Sequence, residues 1–179
     1  MENFSWQILN EKDFVKKLEL MHYFKKQTKI FFDSSVILKA EITRMFLEDI
    51  ELDVDKNLVI TATLLCGCKK KKDATNKKQI ENYAIEGAKY LKNLGFDDRF
   101  CKICEEVNRY SRSFPREKES DILELIDVFG GLVLDRPERK GYPIDEAIIL
   151  LEERILKGYK NRYIQSFKEF ILIEEGINV

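Results

Sequence analysis

Apolar residues recur at intervals of three and four along nearly the whole chain, the spacing that lines one face of an α-helix. Phe14, Leu18 and Met21 begin the pattern, and Leu38, Ile42, Met45 and Phe46 give a second helix. Residues 55 to 68 follow, apolar on several sides through Leu58, Val59, Ile60, Leu64 and Leu65. Their β-branched content would suit a strand, but the length and the lack of a pairing partner favour a buried helix. The polar run KKKKDATN then leads into a helix over 77–94, with Ile80, Ala84, Gly87, Ala88 and Leu91 on one face and Gly95 as its stop. Asp97 can cap the next stripe, Phe100, Ile103, Cys104 and Val107. SRSFPREKES reads as a loop, after which Ser120 or Asp121 opens a helix carrying Ile122, Leu125, Ile126, Phe129 and Val133, and Pro137 ends that region. Pro143 with Asp145 and Glu146 starts another, with Ile144, Ala147, Ile148 and Leu151 inward, ending at Gly158. Ile164, Phe167, Phe170 and Ile171 mark a last helix. The pattern predicts an all-α bundle of about eight helices, a single domain over 11–179 behind an N-terminal extension, 1–10. Phe4, Trp6 and Ile8 of that extension could pack on the domain or on a partner, and the sequence does not decide which.

Composition narrows the chemistry. The 179 residues are long enough to bury a core without disulfides or structural metal. Lys and Arg number 31 against 32 Asp and Glu, a formal net charge of −1 that gives no global pull toward nucleic acid or an anionic membrane. No stretch is long and apolar enough for a membrane span, and no leader pattern opens the chain, so a cytoplasmic location is expected. The four cysteines, Cys66, Cys68, Cys101 and Cys104, are then expected as reduced thiols. A single histidine, His22, leaves no material for a histidine cluster.

Four segments in order carry a resemblance: LLCGCKK, YAIEGAKYLKNLGF, CEEVNRYSRSFP and LIDVFGGLVLDRPERKG. Together they resemble the HD-domain superfamily, closest to the HD-GYP subgroup of cyclic di-GMP phosphodiesterases, over about residues 11 to 175. Asp127-Val128-Phe129, Asp135-Arg136-Pro137-Glu138-Arg139-Lys140, Glu146-Ala147 and Phe167 match the family's last segment, and Ser113-Phe114-Pro115 stands where it has GYP. The resemblance implies an HD-domain-like helical bundle. It also implies a site at which imidazoles and carboxylates hold two or three metal ions that acidify a bridging water for phosphoester hydrolysis.

The ligand positions themselves depart from the family. Its first histidine falls on Ser34, the HD dyad on Cys66 and Gly67, the histidine of HxxxG on Tyr83, the HH pair on Glu105 and Glu106, and the final aspartate on Asp127. Only Asp127 keeps its family identity. One carboxylate cannot assemble a dinuclear centre, so the expectation is a helical fold retained after loss of its catalytic shell, with no catalytic residue, no metal and no cofactor. Such a domain would serve as a ligand-binding, regulatory or protein-interaction module. Its partner would be a nucleotide, a cyclic dinucleotide, another protein or a second copy of the chain, and neither nucleic acid nor a membrane.

Two rival chemistries are a phosphohydrolase metal site rebuilt from Cys66, Glu105, Glu106 and Asp127, and a structural zinc on the four cysteines. If an anionic ligand is kept, Lys70, Arg136 and Arg139 are the candidate donors. The plainer alternatives are a solvated basic loop and a helix-end ion pair.

Overall fold

The structure, a computed structural model, describes residues 2–71, 76–135, 139–155 and 159–174. Among them the helices are α1 (Glu2–Asn10), α2 (Phe14–Thr28), α3 (Ser34–Asp49), α4 (Lys56–Leu65), α5 (Lys77–Asn93), α6 (Asp98–Glu105), α7 (Lys118–Val133), α8 (Ile144–Ile155) and α9 (Ile164–Glu174), with no strand. Successive helices α2 to α6 each begin on an Asp or Asn whose side chain accepts a first-turn N–H: Asp13, Asp33, Asp55, Asn76 and Asp97. Residues 56–65 are helical, as their length favours, and α5 stops where Gly95 takes a positive φ of 90°. There Phe96 N–H returns to Leu91 O and Gly95 N–H to Lys92 O, a paired bond pattern that satisfies the carbonyls of the last turn.

Two apolar clusters fill the bundle. One gathers Met21, Phe24, Ala62, Leu65, Ala84, Leu91, Phe100 and Ile103 from α2, α4, α5 and α6. The other gathers Phe46, Val59, Ile126, Phe129, Leu151, Phe167 and Phe170 from α3, α4, α7, α8 and α9. Helices α3, α4 and α7 pack on one another and supply side chains to both. Any polar group on their shared faces is therefore far from bulk water.

Two features add to or differ from the expectation. First, residues 2–10 form α1, whose packing the sequence left open: Ile8 is fully buried and Phe4 is stacked on Phe24. Its carbonyl end is held by Asn57 Nδ2 on Leu9 O and by Lys17 Nζ, 2.7 Å from Ile8 O and 2.7 Å from Thr61 Oγ1. A cation is suited to that end of a helix. Second, α7 starts at Lys118, so Ser120 and Asp121 lie inside it, buried, instead of opening it. Its N-terminus is capped from a distance by Glu106, which no local pattern reveals. Pro137 and Gly158, expected as stops, lie outside the described residues.

Lys17 is 1% exposed, and burial pushes its ammonium down to about 8 against the opposing pull of Glu11 and Asp55. Its ordinary value is 10.5, so between about 8 and 10.5 the unfolded chain holds a proton that the folded one has released. Folded stability attributable to Lys17 therefore rises with pH through that window, by up to about 1.4 kcal/mol per pH unit. Urea unfolding of wild type and Lys17→Met at pH 7 and pH 10 reads this: wild type gains on the variant as pH rises. Parallel stabilities at both pH values would contradict it.

Candidate functional site

Where α3, α4, α5 and α7 meet, one carboxylate gathers three donors. Asp127, in the middle of α7, takes Lys39 Nζ of α3 at 2.8 Å and Lys70 Nζ at 2.6 Å on one oxygen, and the Tyr83 hydroxyl of α5 at 3.0 Å on the other. Lys39 Nζ also reaches the Asp127 carbonyl at 3.2 Å, and Lys70 Nζ stands 4.7 Å from the centroid of the Tyr83 ring. The side chains of Lys39 and Asp127 are only 12% and 17% exposed.

Glycines make these approaches possible. A Cβ on Gly130, one turn beyond Asp127, would stand 2.7 Å from Lys39 Cγ and Cε, so the lysine stem lies across a bare stretch of α7. On Gly67 it would meet Lys70 Cδ at 3.2 Å, and on Gly87 the Cys68 sulfur at 3.3 Å. Gly87 thus lets α5 lie against the turn after α4, which brings Tyr83, one turn earlier, to the carboxylate.

Burial alone would push the Asp127 carboxyl up. The charges of Lys39 and Lys70 and their hydrogen bonds outweigh it and hold that carboxyl well below the usual range. The two lysines respond in opposite senses. Desolvation is the largest influence on each and lowers both; at Lys39 it prevails, whereas at Lys70 the attraction of Asp127 overturns it and raises the ammonium. Two cations to one carboxylate leave a surplus positive charge, and the repulsion of Lys70 adds to burial in lowering Lys39. Burial first, then Asp127, raises the phenol of Tyr83 and pushes the Cys66 thiol up to about 12, so both stay protonated.

A second polar network surrounds Glu106, at the end of α6. Its carboxylate is fully buried and accepts from Ser113 Oγ at 2.6 Å, Glu117 N–H at 2.8 Å and Ser120 Oγ at 2.7 Å. It thereby caps α7, where a negative charge is favoured. Beside it Arg116 ties the Glu106 and Asn108 carbonyls to Asp121, Arg162 also grips Asp121, and Arg109 holds Glu124 through two parallel bonds.

Of the positions expected at a former metal centre, Cys66, Gly67, Tyr83 and Asp127 share the first cluster, together with Lys70 from the expected anion donors. Ser34 is exposed on the first turn of α3, Glu105 is half-buried and joins neither network, and Glu106 serves the second. Arg139 spends its guanidinium on the Gly131, Leu132 and Lys140 carbonyls and rests on the Tyr142 ring, closing the C-terminus of α7. Arg136 lies outside the described residues. Lys39, Gly130 and Arg116 were absent from the sequence reading. The Gly130-Gly131 pair one turn past a mid-helix aspartate was the available signal, since paired glycines in a helix mark a close approach.

The donor set does not fit the metal ions that the resemblance implies. Among the described residues no three His, Cys, Asp or Glu side chains form a group able to hold a metal. Asp127 already accepts two ammonium groups, and the Cys66 thiol turns to Thr63 O at 3.8 Å. The zinc alternative meets the same difficulty. All four cysteines are buried and free, and burial lifts Cys68 to about 12, Cys101 to about 11 and Cys104 well above its ordinary value. They pack as small hydrophobes.

Comparison with known proteins finds no match among protein-family models, curated proteins or solved structures.

Removing the carboxylate strands the largely buried Lys39 ammonium and leaves the partly exposed Lys70 without its counter-ion. Asp127→Asn is therefore expected to cost about 3–5 kcal/mol in urea unfolding at pH 7. Because the folded carboxyl lies below its unfolded value, the charge of Asp127 stabilises above about pH 4, so the gap to the variant narrows as pH falls below that value. Gly130→Ala displaces the Lys39 stem and should cost about 1–3 kcal/mol, with most of that loss absent in a Lys39→Ala background. Additive effects of the two changes would contradict the proposed route of the lysine over Gly130.

Proposed function

We propose that this domain is a catalytically inactive relative of the HD-GYP phosphodiesterases, acting as a regulatory, protein-interaction module. One observation carries the reading: two ammonium groups stand against Asp127, the residue the resemblance assigns as the surviving metal ligand. An ammonium neutralises a carboxylate, but it offers no empty orbital to a water lone pair. It cannot act as the Lewis acid that generates hydroxide near neutral pH. Tyr83 and Cys66, both protonated, offer no base in its place.

Recognition by a protein is favoured over capture of a nucleotide or cyclic dinucleotide because the described candidate anion donors are engaged within the fold. Lys70 is on Asp127 and Arg139 is on the end of α7. The loop fastened by Glu106 and Arg116, in contrast, presents Phe114 91% exposed, an aromatic side chain held ready on a fixed backbone.

Elemental analysis of the purified protein, with hydrolysis of a generic phosphodiester in added Mn²⁺, tests the reading. The expected result is no stoichiometric iron, manganese or zinc and no turnover above the protein-free control. One metal equivalent with Mn²⁺-dependent hydrolysis, both abolished in Asp127→Asn, would support instead a phosphohydrolase with substituted ligands. Calorimetry with cyclic di-GMP is expected to show no binding. Binding weakened by Lys70→Ala with folding intact would favour the ligand-binding form of the module.

A further inference from the structure

Most buried or half-buried cations of this chain are matched with carboxylates: Lys39, Lys70, Lys102, Arg109 and Arg116 all lie in ion pairs. At the surface, one face gathers lysines from three separate segments. Lys25, Lys26 and Lys29 end α2, Lys69 and Lys71 follow α4, and Lys89 lies on α5. None of the six forms an ion pair among the described residues.

The fold draws these segments together through named contacts. Phe31 N–H donates to Cys68 O at 3.0 Å, joining the connection after α2 to the turn after α4. Tyr90 then bridges all three segments: its hydroxyl donates to Thr28 O at 2.9 Å while Lys69 Nζ sits 3.3 Å from its ring centroid. Lys25 Nζ is turned to Phe32 O, whereas Lys26, Lys29, Lys71 and Lys89 are exposed. Among the described residues, the acids close in sequence to these lysines are Asp33, whose carboxylate is occupied capping α3, and the exposed Glu86, one turn before Tyr90. The face is strongly positive although the whole chain carries a formal charge of −1.

We infer that this lysine face is a docking surface for an acidic segment of a partner protein. The inference rests on the interaction-module reading and names the chemistry of the partner. Unpaired lysines side by side repel one another, and a partner that brings carboxylates relieves the repulsion while steering the encounter. Two observations favour a protein segment over a polynucleotide. The remainder of the chain is net acidic and would repel a phosphate backbone running beyond the patch. The aromatic ring of the patch, Tyr90, already has one face taken by Lys69 and its hydroxyl held on Thr28 O, which leaves it poorly placed for base stacking.

The test uses the full chain and fluorescence anisotropy at physiological salt, with a short labelled polyglutamate and a labelled oligonucleotide of similar charge. Lys26→Glu, Lys29→Glu and Lys71→Glu are combined, since these side chains are exposed and form no hydrogen bond or ion pair among the described residues, and far-ultraviolet circular dichroism checks that the variant stays folded. A control reverses Lys12, Lys16 and Lys56, which are exposed at the other ends of α2 and α4. Wild type and control are expected to bind polyglutamate alike, with affinity falling as salt rises, and the patch variant to bind at least about tenfold more weakly. No binding by wild type, equal losses in patch and control variants, or tighter binding of the oligonucleotide would each overturn the inference. These outcomes are independent of the metal and phosphodiester results, so either reading can fail alone.

Discussion

A carboxylate buried between helices must be neutralised where it stands, and Asp127 imposes that requirement on this fold. Desolvating it alone would cost several kcal/mol, so it is found only with its counter-charges in place. Supplying them from α3 and from the turn after α4, with a phenol from α5, forces four separate segments into one register. The three glycines follow from the same constraint, because lysine stems and helix backbones must pass within ordinary contact of one another to reach one point. The cluster therefore reads as a structural keystone. Positive charge is present, but it is held on nitrogen, where it can offset an anion and cannot activate water.

Helix α7 shows how the remaining charges are placed. The carboxylate of Glu106 lies at its N-terminus, the guanidinium of Arg139 covers the carbonyls at its C-terminus, and Lys39 and Lys70 meet it in the middle. Each end receives the sign its backbone dipole favours. The buried acids Asp121 and Glu124 on the same helix are matched by Arg109, Arg116 and Arg162. The lysines around Tyr90 are of another kind: they lie at the surface and form no ion pair among the described residues.

Much of the fold was legible in the sequence because helix periodicity and capping are local. Asp97 before Phe100 and Gly95 after Leu91 carry their structural meaning within a few residues. The start of α7 was not legible, because the acid that caps it comes from Glu106, outside the segment. The N-terminal residues could be assigned neither to the core nor to solvent, since what docks α1 is Lys17 and Asn57 from later helices. At the site, Asp127, Tyr83 and Cys66 were singled out only through the resemblance, and the structure brings them near one another. Lys39 was not, since nothing along α3 distinguishes it from a solvent-facing lysine; only the bare surface at Gly130 turns it inward. The contacts of Arg139 were hidden for a related reason: sequence shows a cation but not the carbonyls it will meet.

The central claim, that Asp127 is a charged carboxylate locked between two ammonium groups, is tested most directly by its own titration. Carboxyl carbon chemical shifts of the aspartate-labelled protein, with the Asp127 signal assigned through Asp127→Asn, report its ionisation against pH. This signal is expected to stay at its ionised value through the acid range for as long as the protein remains folded. It should become more readily protonated in Lys39→Met or Lys70→Met. A signal that titrates near pH 4 like an exposed aspartate, unaltered by either lysine change, would contradict it.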